Sequence, residues 1–158
     1  MTTSLPKWLL YIYAIFALTA IVVIADFATP GRIIADDIVE IQKNRQQDYN
    51  DAENFHFSYK VITNEHAFQV KEAFGSMELE NKKIEYSVSP LFKRVNWYRL
   101  LTVEKRSYHS LRLASGLILP LLLLLLLFLK FRYNKGNRRL LFIMQVLMIG
   151  NLIFIIAY

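Results

Sequence analysis

The chain has 158 residues, a net charge of +6 and no cysteine, and 54% of its residues are hydrophobic. The lack of cysteine excludes disulfides, thiolate metal sites and a cysteine nucleophile. All thirteen Asp and Glu residues lie between Asp26 and Glu104, and residues 26–112 also hold thirteen of the nineteen Lys and Arg residues, so this segment is neutral. The positive excess lies at the flanks of three apolar runs, which argues against a basic nucleic-acid-binding face and indicates a membrane protein.

Each of the three apolar runs is near the length that an α-helix needs to cross a bilayer. They predict transmembrane helices at residues 8–25, 113–129 and 140–158, the first preceded by a leader at 1–7. The first run is longer than the core of a signal peptide, so we expect an uncleaved anchor. In the second run, Pro120 removes one backbone hydrogen bond and predicts a kink.

The third run carries two amides, Gln145 and Asn151, six residues apart. At 100° per residue the two side chains lie on different faces of the helix, which disfavours a polar pathway along it. Either each amide bonds to a neighbouring helix or a backbone carbonyl, or the two mark a contact with a partner subunit.

Orientation follows from the link between the second and third runs. Residues 130–139 hold five basic and no acidic residues, and the positive-inside rule places such a short loop in the cytoplasm. The amino terminus is then inside, while residues 26–112 and the carboxy terminus are outside. Four basic residues within 99–112 argue the other way, but long loops cross largely regardless of charge. The outer segment has no glycosylation sequon, which fits a bacterial cytoplasmic membrane.

Residues 26–112 are expected to form a small α+β extracytoplasmic domain, a helix plus an antiparallel sheet, inserted between the first two spans. Thr29 and Pro30 have the pattern of an N-cap and a first helical residue. The apolar spacing after them predicts an amphipathic helix from Pro30 to Tyr49. On that helix Asp36 and Asp37 would diverge by 100°, which disfavours a cation site.

After the predicted helix the apolar period changes to two. Alternation from Phe55 to Val61 predicts a strand, and Phe68 to Val70 predicts a second one. A hairpin is expected across Asn81 and Lys82, with Met77 and Leu79 facing Ile84 and Tyr86. We therefore expect three or four antiparallel strands, covered by the helix and ended by Pro90.

The approach to the second span, residues 91–112, interleaves aromatic and basic side chains around a single acid. Because it runs into a membrane span, lipid headgroups are nearer anions than nucleic acid. We interpret it as an interface segment; a docking surface for a partner protein and a site for a specific anionic ligand are the alternatives. With the two amides of the third run, the predicted partner or lipid contacts are Phe92, Lys93, Arg94, Trp97, Tyr98, Arg99, Lys105, Arg106, Gln145 and Asn151.

No pattern of catalytic, cofactor-binding or metal-binding residues is recognisable, and none is predicted. The three histidines, His56, His66 and His109, lack the spacing of zinc ligands. Ser107 has no GxSxG-type turn to present it as a nucleophile, and the five glycines form no phosphate loop.

These features favour a non-catalytic accessory or assembly subunit of a larger membrane complex, which interacts through its outer domain and its third helix. The expected partners are membrane lipid and other integral membrane subunits, with a second copy of the chain as a further candidate and no nucleic acid. One alternative is a component of an oligomeric transporter or channel, with a pore lined by Thr19, Ser115, Gln145 or Asn151. A second is an envelope enzyme that acts on an anionic substrate, with His109 as its best candidate residue.

Overall fold

The computed structural model describes four stretches of the chain, residues 6–47, 55–77, 82–133 and 138–157. The elements in chain order are α1 (Lys7–Ala28), β1 (Arg32–Gln47), β2 (Phe55–Thr63), β3 (Ala67–Val70), α2 (Glu72–Gly75), β4 (Lys83–Val88), β5 (Val95–Leu100), α3 (Ser110–Leu113), a π-helix (Ala114–Ile118), α4 (Leu119–Tyr133) and α5 (Arg138–Ala157). Some predicted positions lie outside the described residues, namely the leader residues 1–5, Tyr49, Leu79, Asn81, Lys135 and Tyr158.

The chain divides into two compact units. The helical unit combines Met1–Thr29 with Leu113–Tyr158, and the sheet unit is Pro30–Arg112. Within the described residues, three helices are long and apolar enough to cross a membrane: Lys7–Ala28, Ser110–Tyr133 and Arg139–Ala157. The three predicted runs fall in these helices, which indicates an integral membrane protein.

The sheet unit is built on one antiparallel sheet of five strands in the order β3-β2-β1-β4-β5. The long central strand β1 has a different partner along each half. Its first half pairs with β4, from Arg32 opposite Val88 to Asp37 opposite Lys83. Its second half pairs with β2, and the register shifts between Ile38 and Glu40. This division of β1 lets a single sheet curl around its own side chains.

The predicted helix from Pro30 to Tyr49 is wrong, because residues Arg32–Gln47 form strand β1. Ile34 and Ile38 are four residues apart, and this spacing fits one face of a helix and one side of a strand equally well. In the structure both are buried, while Ile33 is exposed, as strand alternation requires. Pairing with β4 and β2 decides between the two patterns, and it favours β-branched residues such as isoleucine.

The strands predicted at Phe55–Val61 and Phe68–Val70 are confirmed as parts of β2 and β3. The predicted hairpin of Met77 with β4 is wrong, because β4 already has β1 on one side and β5 on the other. Pro90 does not end the sheet, since β5 follows it, and the sheet has five strands instead of three or four.

Buried aromatic and branched side chains from all five strands form the core of the sheet unit. They are Ile34, Ile38, Tyr59, Val61, Phe68, Val70, Ile84, Tyr86, Val88, Tyr98 and Leu100. Phe74 of α2 packs against this cluster. The next residue, Gly75, lies so close to the Tyr59 ring that a Cβ would overlap it, so α2 sits directly on the sheet. The short helix α2 thus takes part of the covering role that the sequence assigned to a long helix.

Candidate functional site

The structure separates the predicted contact residues of the sheet unit into three places. Phe92, Lys93 and Arg94 lie in the loop between β4 and β5, whereas Trp97, Tyr98 and Arg99 lie in β5 itself. Lys105 and Arg106 belong to the segment after β5. The aromatic and basic stretch is therefore divided among a loop, a strand and the segment after it.

Tyr98 belongs to the core of the sheet unit. It is almost fully buried, and its hydroxyl accepts a hydrogen bond from the Lys71 backbone N–H at 2.8 Å. Burial raises the pKa of Tyr98 above its ordinary value, although the bond from Lys71 partly opposes this. The ring stacks against Phe68 and Phe74. Its role is to hold α2 and β3 onto β5.

The basic side chains around β5 bond within the sheet unit. Arg99 donates from Nη2 and Nε to one carboxylate oxygen of Glu85 on β4, at 2.8 and 3.1 Å. The Arg106 guanidinium stacks over the buried Trp97 ring, 4.4 Å from its centroid. Two backbone bonds between Tyr98 and Ser107 hold this segment on β5. Both arginines therefore strengthen the β5 edge.

The β4–β5 connection, residues 89–94, is an ordered loop that we call the basic loop. The Ser89 N–H donates to the Arg94 carbonyl at 2.7 Å, and the Arg94 N–H donates to the Ser89 hydroxyl at 3.1 Å. Lys93 has a φ of 56°, in the left-handed region that non-glycine residues seldom adopt. Leu91 is 60% exposed and Lys93 is also exposed. The loop thus presents an apolar and a cationic side chain together on a fixed backbone.

A polar cluster within the core was not found from the sequence. The fully buried Tyr86 hydroxyl lies 3.1 Å from the Thr63 hydroxyl and 3.1 Å from Nδ1 of His66. Burial raises the pKa of Tyr86. The His66 N–H donates to the Thr63 hydroxyl, which closes the turn between β2 and β3. The tyrosine that bonds to this turn is twenty residues away from His66 in the chain, on β4.

Asp36 ties the same turn to β1. Its carboxylate accepts hydrogen bonds from the Asn64 side chain at 2.8 Å and from the backbone N–H groups of Asp37 and Glu65 at 2.8 and 3.2 Å. Burial raises the pKa of Asp36, but these hydrogen bonds together lower it further, so the net pKa lies below its ordinary value. The carboxylate is therefore ionised at neutral pH and serves as an anchor for the turn.

His109, which follows β5 in the chain, also has a shifted pKa. Burial lowers its pKa, and the positive charge of Lys71 lowers it further. The imidazole is therefore neutral at physiological pH. Within the described residues, no group of three or more His, Cys, Asp or Glu side chains is placed to hold a metal ion.

The two amides of α5 have different surroundings. Asn151 Nδ2 donates to the Ser115 carbonyl at 2.9 Å. Among the described residues, Gln145 Nε2 has no hydrogen-bond partner, although the side chain is only 9% exposed. Asn151 thus bonds to a backbone carbonyl of a neighbouring helix, which was one of the two interpretations from sequence, and Gln145 does not.

The bond from Asn151 compensates for a local defect in the second span. The Leu119 N–H bonds to the Ala114 carbonyl, five residues earlier, as in a π-helix. In this register the next acceptor is the Ser115 carbonyl, and its donor would be Pro120, which has no N–H. Asn151 supplies the missing donor from α5. The polar residue in the third span is therefore matched to the proline in the second.

Comparisons with protein-family models, curated proteins and solved structures find no match to this chain.

Proposed function

We propose that this chain is a non-catalytic accessory or assembly subunit of a larger complex in a bacterial cytoplasmic membrane. The observation that carries the proposal is that several of the described histidine, acidic and basic side chains bond to other residues of the sheet unit. His66 bonds to Tyr86, Asp36 bonds to the β2–β3 turn, and Arg99 bonds to Glu85. Groups used in this way support a scaffold for contacts better than a reaction site.

The proposed topology follows the positive-inside rule. The basic link 130–139 faces the cytoplasm together with the amino terminus, while the sheet unit and the carboxy terminus lie outside. In this arrangement the sheet unit is available to extracytoplasmic parts of a partner, and α5 is available within the bilayer.

The helix α5 offers an apolar surface to such a partner. Of its most apolar stretch 22% is buried, and the value for α1 is 17%, so the feature that distinguishes α5 is its buried amide Gln145. Gln145 Nε2, which has no hydrogen-bond partner among the described residues, adds a polar group that an incoming helix could satisfy after a side-chain rotation, because unpaired amides are costly in hydrocarbon. The transporter alternative is less well supported, since Thr19 and Asn151, two of its proposed lining residues, bond to backbone carbonyls.

Matched double substitutions on two helices test this proposal. Ile153 and Ile156 of α5 are 63% and 64% exposed, and Ile15 and Leu18 of α1 are also 63% and 64% exposed. We expect I153A/I156A to reduce the partners that co-purify with the full chain in mild detergent, while I15A/L18A leaves them unchanged. Equal recovery with both double variants would contradict a role for α5 in assembly.

A further inference from the structure

One end of the sheet carries both of the chain's connections to the helical unit. Helix α1 ends at Ala28 and β1 begins at Arg32, so the linking residues span at most roughly 14 Å. Gly31 in this link packs so closely on the Val88 carbonyl, at the end of β4, that a Cβ would overlap it. The chain from α1 therefore enters the sheet unit beside the end of β4.

The second connection leaves from the same end. Arg112, the last residue of the sheet unit, donates from Nη2 and Nε to the Asn96 side-chain oxygen at 2.7 and 2.9 Å. Asn96 is the second residue of β5, and β5 begins beside the end of β4. The helical unit resumes at Leu113, within the second membrane-crossing helix. Both chain connections therefore leave the sheet unit at the same end of its strands.

The basic loop joins β4 to β5 at this same end of the strands. Its exposed apolar side chain is Leu91, and Lys93 and Arg94 supply positive charge without any acid between Glu85 and Glu104. An apolar residue flanked by cations is the composition that suits the boundary between acyl chains and anionic headgroups. The two bonds between Ser89 and Arg94 hold the loop in shape, so little ordering is needed on contact.

We propose that the basic loop is a third membrane contact of this protein, in which Leu91 enters the interface and Lys93 and Arg94 bind anionic lipid headgroups. The occupant is lipid because both chain connections to the membrane-crossing helices leave the sheet unit at the end that carries this loop. This contact depends on the helices crossing a membrane and does not depend on the proposed assembly role.

The chain has no cysteine, so a single substitution gives a unique labelling site. The full chain carrying L91C is labelled with a nitroxide and reconstituted into nanodiscs of phosphatidylcholine with phosphatidylglycerol. Leu101 is the control, because it is 49% exposed and lies at the opposite end of the strands, where its N–H bonds to the Lys83 carbonyl. We expect the label at 91 to be more accessible to oxygen than to a water-soluble nickel chelate, and the label at 101 to show the reverse.

Two outcomes would overturn the proposal. One is a label at 91 that is as accessible to the nickel chelate as the label at 101, which means that the loop is in water. The other is a label at 91 that is shielded from both oxygen and the chelate, which means that protein covers the loop.

The role of charge has its own matched test in the same L91C background. K93Q/R94Q removes two charges from the basic loop, and K82Q/K83Q removes two exposed charges from the opposite end of the strands. Each basic residue near an anionic surface changes the binding equilibrium about fivefold. We therefore expect the accessibility of the label at 91 to differ between nanodiscs with and without phosphatidylglycerol, and K93Q/R94Q should abolish this difference. An unchanged lipid dependence in K93Q/R94Q, or an equal loss in K82Q/K83Q, would contradict headgroup binding by the basic loop.

Discussion

The helical unit and the sheet unit handle their polar groups in different ways. In the helical unit, single side chains bond to single backbone carbonyls, as Asn151 does to Ser115. In the sheet unit, hydroxyl, imidazole and carboxylate groups form a connected set around one turn, centred on Tyr86 and Asp36. A single hydrogen bond between two helices can therefore be lost alone, whereas the small sheet depends on a connected set of hydrogen bonds in addition to its aromatic core.

The chain has two tryptophans, and one lies in each unit, so each unit has its own fluorescence probe. Trp97 is buried in β5 and reports on the sheet unit, while Trp8 lies in α1 and reports on the helical unit. Replacing the other tryptophan with phenylalanine isolates each signal. The predictions below use these two backgrounds.

The largest expected effect is in the sheet unit, at Tyr86. Tyr86→Ala removes a fully buried ring and should lower the free energy of unfolding by about 3–5 kcal/mol. Tyr86→Phe keeps the ring and removes only the bonds to Thr63 and His66, which should cost about 1–2 kcal/mol. Guanidinium unfolding followed by Trp97 fluorescence measures both. Equal losses in the two variants would show that the ring itself contributes nothing.

The next effect is in the helical unit. Asn151→Leu removes the hydrogen bond from Asn151 to the Ser115 carbonyl and should cost about 1–2 kcal/mol, measured by SDS titration with Trp8 fluorescence. Gln145→Leu is the control and should cost less than Asn151→Leu, because Gln145 Nε2 donates no hydrogen bond among the described residues.

Pro120→Ala sharpens this prediction. An alanine at 120 restores an N–H in the register of the π-helix, so the double variant P120A/N151L should be less destabilised than the sum of the two single variants. Strict additivity of the two substitutions would contradict the proposed compensation between the spans.

A smaller effect depends on pH. The folded pKa of Asp36 lies below its unfolded value near 3.8, so its bonds stabilise the sheet unit above that pH and are lost as the pH falls through the folded pKa. Asp36→Asn should therefore cost only about 1 kcal/mol at pH 7, because partial exposure screens the carboxylate. The cost should become smaller in acid, because the native carboxylate is then protonated. Unfolding curves at several pH values, followed by Trp97 fluorescence, would test this, and a cost that grows in acid would contradict it.

The smallest effect is expected at Arg106. Arg106→Gln removes the guanidinium that stacks on Trp97 and should cost about 0.5–1 kcal/mol. Lys105→Gln removes an equal charge from the neighbouring exposed position and should be neutral. A shift of the Trp97 emission maximum in the first variant alone would confirm the contact.

The helices were predictable because span length and apolar composition are local properties of the sequence. The first strand was not, because Ile34 and Ile38 have a spacing that a helix and a strand share, and only pairing with β4 and β2 decides between them. Strand β5 was missed because its aromatic and basic residues have the composition of a membrane interface.

The functional contacts could be predicted only in part. The sequence indicated that Asn151 could bond to a backbone carbonyl, but its partner Ser115 depends on the π-helix before Pro120. The Tyr86 cluster joins residues twenty or more positions apart, on strands whose pairing the sequence did not reveal. Single-chain patterns report local periodicity, and these contacts arise from the topology of the sheet.

The most direct test of the assembly proposal is the mass of the native particle. The full chain, extracted from its own membrane in a mild detergent and analysed by size-exclusion chromatography with light scattering, should run in a particle that contains further integral membrane subunits in a fixed ratio. A monodisperse particle that contains one copy of the 18.6 kDa chain and no other protein would contradict the account.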